Sequence, residues 1–139
     1  MKKKILLTGS SGFIGSIFLN DALNKGYHIV DILRIKNKNN QKLYKLKKLF
    51  PKTYKSIFFV KNENIIKKIK NKKFDSVINF ATLYKNTHLN FEIPNFIESN
   101  ITFPSLILDL VSKQTKKKIN FGTMQQHLDG KNHTPKNFY

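Results

Sequence analysis

The sequence predicts an α/β fold, a doubly wound parallel sheet with its strands in the order 3-2-1-4-5. Three observations carry this expectation. Short apolar runs of strand length alternate with stretches whose apolar residues recur at helical spacing. The links between them are short, which makes successive strands parallel and joins them by helical crossovers. The first apolar run also breaks at once into a glycine-punctuated turn that opens a helix. There are no internal repeats and no flexible linker long enough to divide the chain, so residues 1–139 read as one domain.

Ile5, Leu6 and Leu7 form the first, buried strand. Phe13, Ile14, Ile17, Phe18 and Leu23 follow at helical spacing and predict a helix over 13–25, stopped by Gly26. The second strand, 27–33, carries Ile29, Val30, Ile32 and Leu33, the pattern of a parallel strand covered on both faces. Asp31 within it reads as a solvent-side residue near the strand's end. After a polar loop at 37–40, Leu43, Leu46, Leu49 and Phe50 predict a short basic helix over 41–50, ended by Pro51. Residues 56–60 are the third strand, and Ile65, Ile66 and Ile69 mark another short helix. The fourth strand is expected at 75–81. A loop over 83–94, holding Tyr84 and His88, leads into a long helix opened by Pro94 or Asn95. Its expected core stripe is Phe96, Ile97, Ile101, Leu106, Ile107, Leu110 and Val111, with a kink beside Pro104. Lys116, Lys117 and Lys118 lead into a fifth strand, which the topology leaves as an unprotected edge.

With 40% hydrophobic residues, the 139-residue chain can build a real core. It has no cysteine, which excludes disulfides and thiolate metal sites, and no metal is expected. Lys2, Lys3 and Lys4 before Ile5 imitate a signal peptide. The polar turn interrupts that apolar run after three residues, and no small-residue cleavage site follows. No stretch approaches a membrane span, so a cytoplasmic protein without a membrane partner is expected. A formal net charge of +18 would suit nucleic acid. The lysines are spread along the chain among Asn and Ile, however, and no recognition motif accompanies them. They read as solvation of helix faces, with attraction of polyphosphate ligands as a side effect.

Within the glycine turn, Gly9 can take the positive φ of a tight bend. Gly12 leaves room for a pyrophosphate to approach the backbone, and Gly15 lets the helix sit close to the strand. The helix start supplies unpaired N–H groups and a positive dipole end. Gly9, Ser10, Ser11, Gly12, Phe13, Ile14 and Gly15 are therefore candidate cofactor-binding residues. The spacing is Gly-x-x-Gly-x-x-Gly, and Thr8-Gly9-Ser10-Ser11-Gly12-Phe13-Ile14-Gly15 resembles the T-G-x-x-G-F-I-G signature of the extended short-chain dehydrogenase/reductases, the NAD-dependent epimerase/dehydratase family. That resemblance implies a Rossmann-type domain and NAD(P)-linked oxidoreductase chemistry on a nucleotide-sugar. In full-length members further strands and a substrate domain follow, and a homodimer is compatible with such a parent.

The end of the second strand sets the cofactor choice. An acidic residue there would bond the ribose 2′-hydroxyl of NAD, whereas an arginine accommodates the 2′-phosphate of NADP. Leu33 falls where family members carry the acid, and Arg34, the only arginine among 26 basic residues, follows it. NADP(H) is therefore favoured over NAD(H). By the same resemblance, Asn62 and Glu63 occupy the neighbourhood of an aspartate that touches the adenine. Asp75-Ser76-Val77-Ile78-Asn79-Phe80-Ala81 is similar to the family's D-x-V-I-H-x-A-A, so the backbone of Asn79, Phe80 and Ala81 would line the cofactor. Asn100 matches an asparagine that members carry in the long helix.

Phe121-Gly122-Thr123 resembles the segment with the family's catalytic Ser/Thr, which places that role on Thr123. Residues 135–139 resemble the approach to the Tyr-x-x-x-Lys motif, which places the catalytic tyrosine at Tyr139. A tyrosine of ordinary pKa, about 10, needs a neighbouring positive charge to act near neutrality. The family takes it from the lysine four residues on, and the sequence ends before that position. We expect an N-terminal fragment, inactive alone, in preference to a small protein that has lost catalysis. Gly122-Thr123-Met124-Gln125-Gln126-His127 is similar to the G-T-x-x-Q-H pattern of CDP-abequose synthase-type 4-keto sugar reductases, which are NADPH-linked. A sugar-nucleotide 4-epimerase, or a non-catalytic module binding nucleotide or RNA through its lysines, are the alternatives.

Overall fold

The computed structural model describes residues 3–70, 72–85, 87–111, 113 and 115–121. Among these the chain runs β1 (Lys4–Thr8), α1 (Phe13–Asn24), β2 (His28–Arg34), α2 (Gln41–Leu49), β3 (Tyr54–Phe59), α3 (Asn62–Ile69) and β4 (Ser76–Asn79). It continues through α4 (Ile93–Ile97), a π-helical turn (Glu98–Thr102), α5 (Phe103–Val111) and β5 (Lys117–Asn120). The strands form one parallel sheet in the order β3-β2-β1-β4-β5, as expected.

Alternation along the strands divides the core into two layers. Leu6, Val30, Ile32, Ile57 and Val77 pack beneath α3 and α5, against Ile65, Ile69, Phe103, Ile107 and Val111. Ile5, Leu7, Ile29, Leu33 and Ile78 pack on the other face with Leu19 and Leu23 of α1 and Leu43 of α2. Cover on both faces is why β1 and β2 read as nearly continuous apolar runs.

Three expectations need correction. Asp31 is not solvent-side: it is fully buried, because its side chain shares the face of Leu7, to which it is paired across the sheet, and lies under α1 and α2. The third strand begins at Tyr54, earlier than expected, since the buried Tyr54 ring joins that same layer. In α1 the apolar stripe is only partly core. Gly15 faces inward with Leu19, Ala22 and Leu23. At about 100° per residue, Phe13, Ile14 and Ile17 then point away from that face; they are 82%, 60% and 57% exposed.

The long helix is also interrupted. Pro104 has no N–H for the carbonyl four residues back, and the wider π-helical turn lies directly before Phe103 and Pro104. A π turn shifts the helical phase, so residues before and after it do not share one stripe. Ile97 and Ile101 are exposed, while Phe103, Pro104, Ile107 and Val111 are buried. The fifth strand lies at a sheet edge with all four residues exposed.

Candidate functional site

β1 ends in the glycine turn. Gly9 has a φ of +77°, a conformation that side chains disfavour, and a β-carbon there would overlap the backbone of Phe80 and Ala81 just past β4. The Gly12 amide donates to the Gly9 carbonyl at 3.1 Å and closes the turn. Gly15 meets that carbonyl so closely that a β-carbon would overlap it. The helix can therefore start directly behind the strand. Phe13, Ile14 and Gly15 lie in the first turn of α1, where no helical carbonyl precedes their amides. That turn carries no acidic side chain, so the positive end of the helix dipole is left to an anion.

The turn opens on a cleft of about 440 Å³ at the carboxyl ends of β1, β2 and β4, walled by Gly9, Ser11, Arg34, Ala81, Thr82 and Ser99 among others. The chain winds outward from β1 to β2 and β3 on one side and to β4 and β5 on the other. The cleft thus lies where the winding reverses, the place at which open parallel sheets take ligands. Arg34 Nη2 donates to Ser99 Oγ at 2.7 Å and joins two of its walls. Arg34 also borders a neighbouring hollow with Lys36, Lys61, Glu63 and Glu98, so both signs of charge surround it. Asn62 opens α3 beside that hollow.

Asn100, in the π-helical turn, bonds both backbone groups of one residue. Its Oδ1 accepts the Leu83 N–H at 2.7 Å, and its Nδ2 donates to the Leu83 carbonyl at 2.9 Å. The Thr82 hydroxyl donates to the same Oδ1 at 3.3 Å. Asn100 therefore fixes the segment after β4 that walls the cleft. Asn79 contributes from below. Its Oδ1 accepts from the Thr8 hydroxyl and the Ala81 N–H, and its Nδ2 donates to Asn120 Oδ1 at 2.6 Å, a polar row across the ends of β1, β4 and β5. Phe80 stacks on Phe121 at 4.2 Å and meets Phe18 at 5.4 Å.

Ser10 differs from its neighbours in the turn. Its side chain is buried, and its hydroxyl donates to Asp31 Oδ2 at 2.6 Å, which leaves only its backbone for a ligand. The same carboxylate oxygen accepts from the Tyr54 hydroxyl at 2.8 Å. Burial pushes the Asp31 carboxyl up to about 6, against the lowering effect of the two hydroxyls. The Tyr54 phenol is also pushed up, first by burial and then by the adjacent Asp31 charge. Sequence reasoning missed both Asp31 and Tyr54. The available signal was a carboxylate set among Val30 and Ile32 in a strand read as buried on both faces.

Thr123, His127 and Tyr139 lie outside the described residues. His88 lies against the Phe96 ring at 5.1 Å. Among the described residues no cluster of His, Asp and Glu is placed to hold a metal, and no helix is long and apolar enough to cross a membrane.

A sequence model of the NAD dependent epimerase/dehydratase family matches residues 5–137. The chain belongs to that family. This family member is similar to the UDP-glucose 4-epimerase of Bacillus subtilis (strain 168), with 29% identity over 122 residues, covering 86% of the chain and 36% of that protein. In fold it resembles the UDP-glucose 4-epimerase of Bifidobacterium longum, solved in complex with NAD+ and UDP, at a TM-score of 0.72 and 22% identity over 87% of this chain and 37% of that one. It likewise resembles the bulky-bulky ketone specific alcohol dehydrogenase of Comamonas testosteroni, at a TM-score of 0.77 and 16% identity over 91% and 57% of the two chains. The chain spans little more than a third of the length of the epimerases it matches.

Proposed function

We propose that the glycine turn and its cleft hold a nicotinamide dinucleotide, and that residues 1–139 are the cofactor-binding domain of an NAD(P)-dependent oxidoreductase acting on a nucleotide-sugar. The observation that carries this reading is the turn itself. A strand, a positive-φ glycine and two further glycines at points of close approach place unpaired helix-start amides at the reversal point of a parallel sheet. A bound nicotinamide supplies hydride. This chain's own residues would bind and orient: amides of Ser11, Phe13 and Ile14 toward the phosphates, and Arg34 toward a 2′-phosphate. Ala81 and Thr82 would form the wall that Asn100 steadies. Thr123 would hold a keto oxygen by its hydroxyl and Tyr139 give that oxygen a proton. Both roles rest on the sequence resemblance.

Within this class we favour a 4-keto-deoxysugar reductase using NADP(H), on the residues from Gly122 to His127 and on Arg34 beside Leu33. A sugar-nucleotide 4-epimerase is the second reading, supported by the kind of relative that the chain matches.

Calorimetric titration of the 139-residue chain with NADPH, NADH and a short RNA at physiological salt tests the proposal. NADPH should bind more tightly than NADH. Arg34→Gln should weaken NADPH binding by about tenfold, the order expected for a guanidinium–phosphate contact, and leave NADH nearly unchanged. Tight RNA binding with a steep salt slope and no dinucleotide binding would reject the enzyme reading.

A further inference from the structure

We propose that Asp31 is a positioning residue, which holds the glycine turn in its ligand-receptive shape through the Ser10 hydroxyl. The proposal rests on the cofactor reading of that turn. Asp31 lies at the centre of β2 with no exposure, facing the layer formed with Leu7, Leu19, Leu43 and Tyr54. Its Oδ2 accepts from Ser10 at 2.6 Å and Tyr54 at 2.8 Å. Its buried Oδ1 has no partner among the described residues.

A carboxylate in such a place is a poor device for stability. An aliphatic side chain would fill the same layer without the desolvation cost or the orphaned oxygen. What the carboxylate adds is a connection. β2 and β3 are already hydrogen-bonded along their length, so its bond to Tyr54 fixes Asp31 against a neighbour that is itself fixed. Its bond to Ser10 reaches outside the sheet, into the turn. That turn carries three glycines within residues 9–15, and unrestrained glycines have the most backbone freedom to lose when a ligand orders them. Anchoring Ser10 from behind removes that freedom in advance and leaves the flanking amides facing the cleft. Among the described residues, burial and the Ser10 and Tyr54 hydroxyls set the Asp31 carboxyl's environment.

The test compares wild type, Ser10→Ala, Tyr54→Phe and Asp31→Asn in the full chain. Backbone hydrogen exchange of residues 9–15 and dinucleotide affinity are read at a temperature where circular dichroism finds every variant folded. Ser10→Ala should speed exchange in the turn by about tenfold and weaken dinucleotide binding roughly three- to tenfold, the scale of one charged hydrogen bond partly transmitted to the ligand. Asp31→Asn keeps an acceptor for both hydroxyls and should stay within about threefold of wild type on both readouts. Tyr54→Phe should lower the melting temperature and change turn exchange by less than Ser10→Ala does. The proposal is overturned if Ser10→Ala and Tyr54→Phe both lower the melting temperature while turn exchange and affinity stay at wild-type values, the pattern of a purely structural node. Should wild type bind neither NADPH nor NADH, the cofactor reading falls, and the exchange comparison still decides whether Asp31 orders the turn.

Discussion

Asp31 carries its proton to a higher pH in the folded chain than a free aspartate does, because burial raises its carboxyl from 3.8 to about 6. Between those values the native state holds a proton that the unfolded chain has already released. Stability must therefore fall as pH rises from about 4 to about 6 and level off above, by about 3 kcal/mol from this group. Asp31→Asn has nothing to titrate there. Urea unfolding across that range should show the wild-type stability declining relative to Asp31→Asn, and a constant difference between the two would refute the assignment. The residue scale also shows what a sequence can disclose. Gly9 and Gly15 were legible because each absence of a side chain answers a local backbone demand, and their spacing records it. Asp31 was not, because a lone carboxylate in a strand looks the same whether it meets water or a hydroxyl. Its partners stand 21 and 23 residues away in sequence, and no local pattern joins them.

At the scale of elements, the π-helical turn carries two of the contacts that shape the cleft. It presents Ser99 to Arg34 and Asn100 to Leu83 from consecutive positions, so one irregular turn organises two walls of the cleft. The expected helix was right in extent and wrong in phase. Pro104 announced an irregularity, but a kink and a change of helical period share that one signal, and only the second takes Ile97 and Ile101 off the buried stripe. Asn100 was legible as a position of interest through the family resemblance, yet its side chain meets protein backbone at Leu83. Asn100→Ala should leave the Leu83 N–H and carbonyl to solvent and free the segment 82–83. Because these groups are exposed, the stability loss should be modest, about 1 kcal/mol. Exchange of the Leu83 amide should accelerate well beyond that of β4 amides. Equal acceleration at both places would mean that the substitution acts globally and that the asparagine is not a local clamp.

For the whole molecule, a formal net charge of +18 sits on a sheet whose β5 edge is open among the described residues. An exposed strand edge invites pairing with another copy, and lysines along it are a common safeguard. β5 carries Lys117 and Lys118, with Lys116 just before it, while Ile119 and Phe121 are 43% and 49% exposed. The apolar pair favours association and the charges oppose it. Repulsion between two such edges acts through water, so salt decides the balance. Raising ionic strength from about 0.1 M to about 1 M shortens the screening length from about 10 Å to about 3 Å. The 139-residue chain should therefore stay monomeric at low salt and self-associate at high salt, as read by light scattering. Replacing Lys117 and Lys118 together by threonine keeps the strand propensity and removes the local charge. That variant should associate already at low salt, although most of the net charge remains. If it stays as monomeric as wild type at low salt, the protection comes from the overall charge and β5 is not the sticking edge.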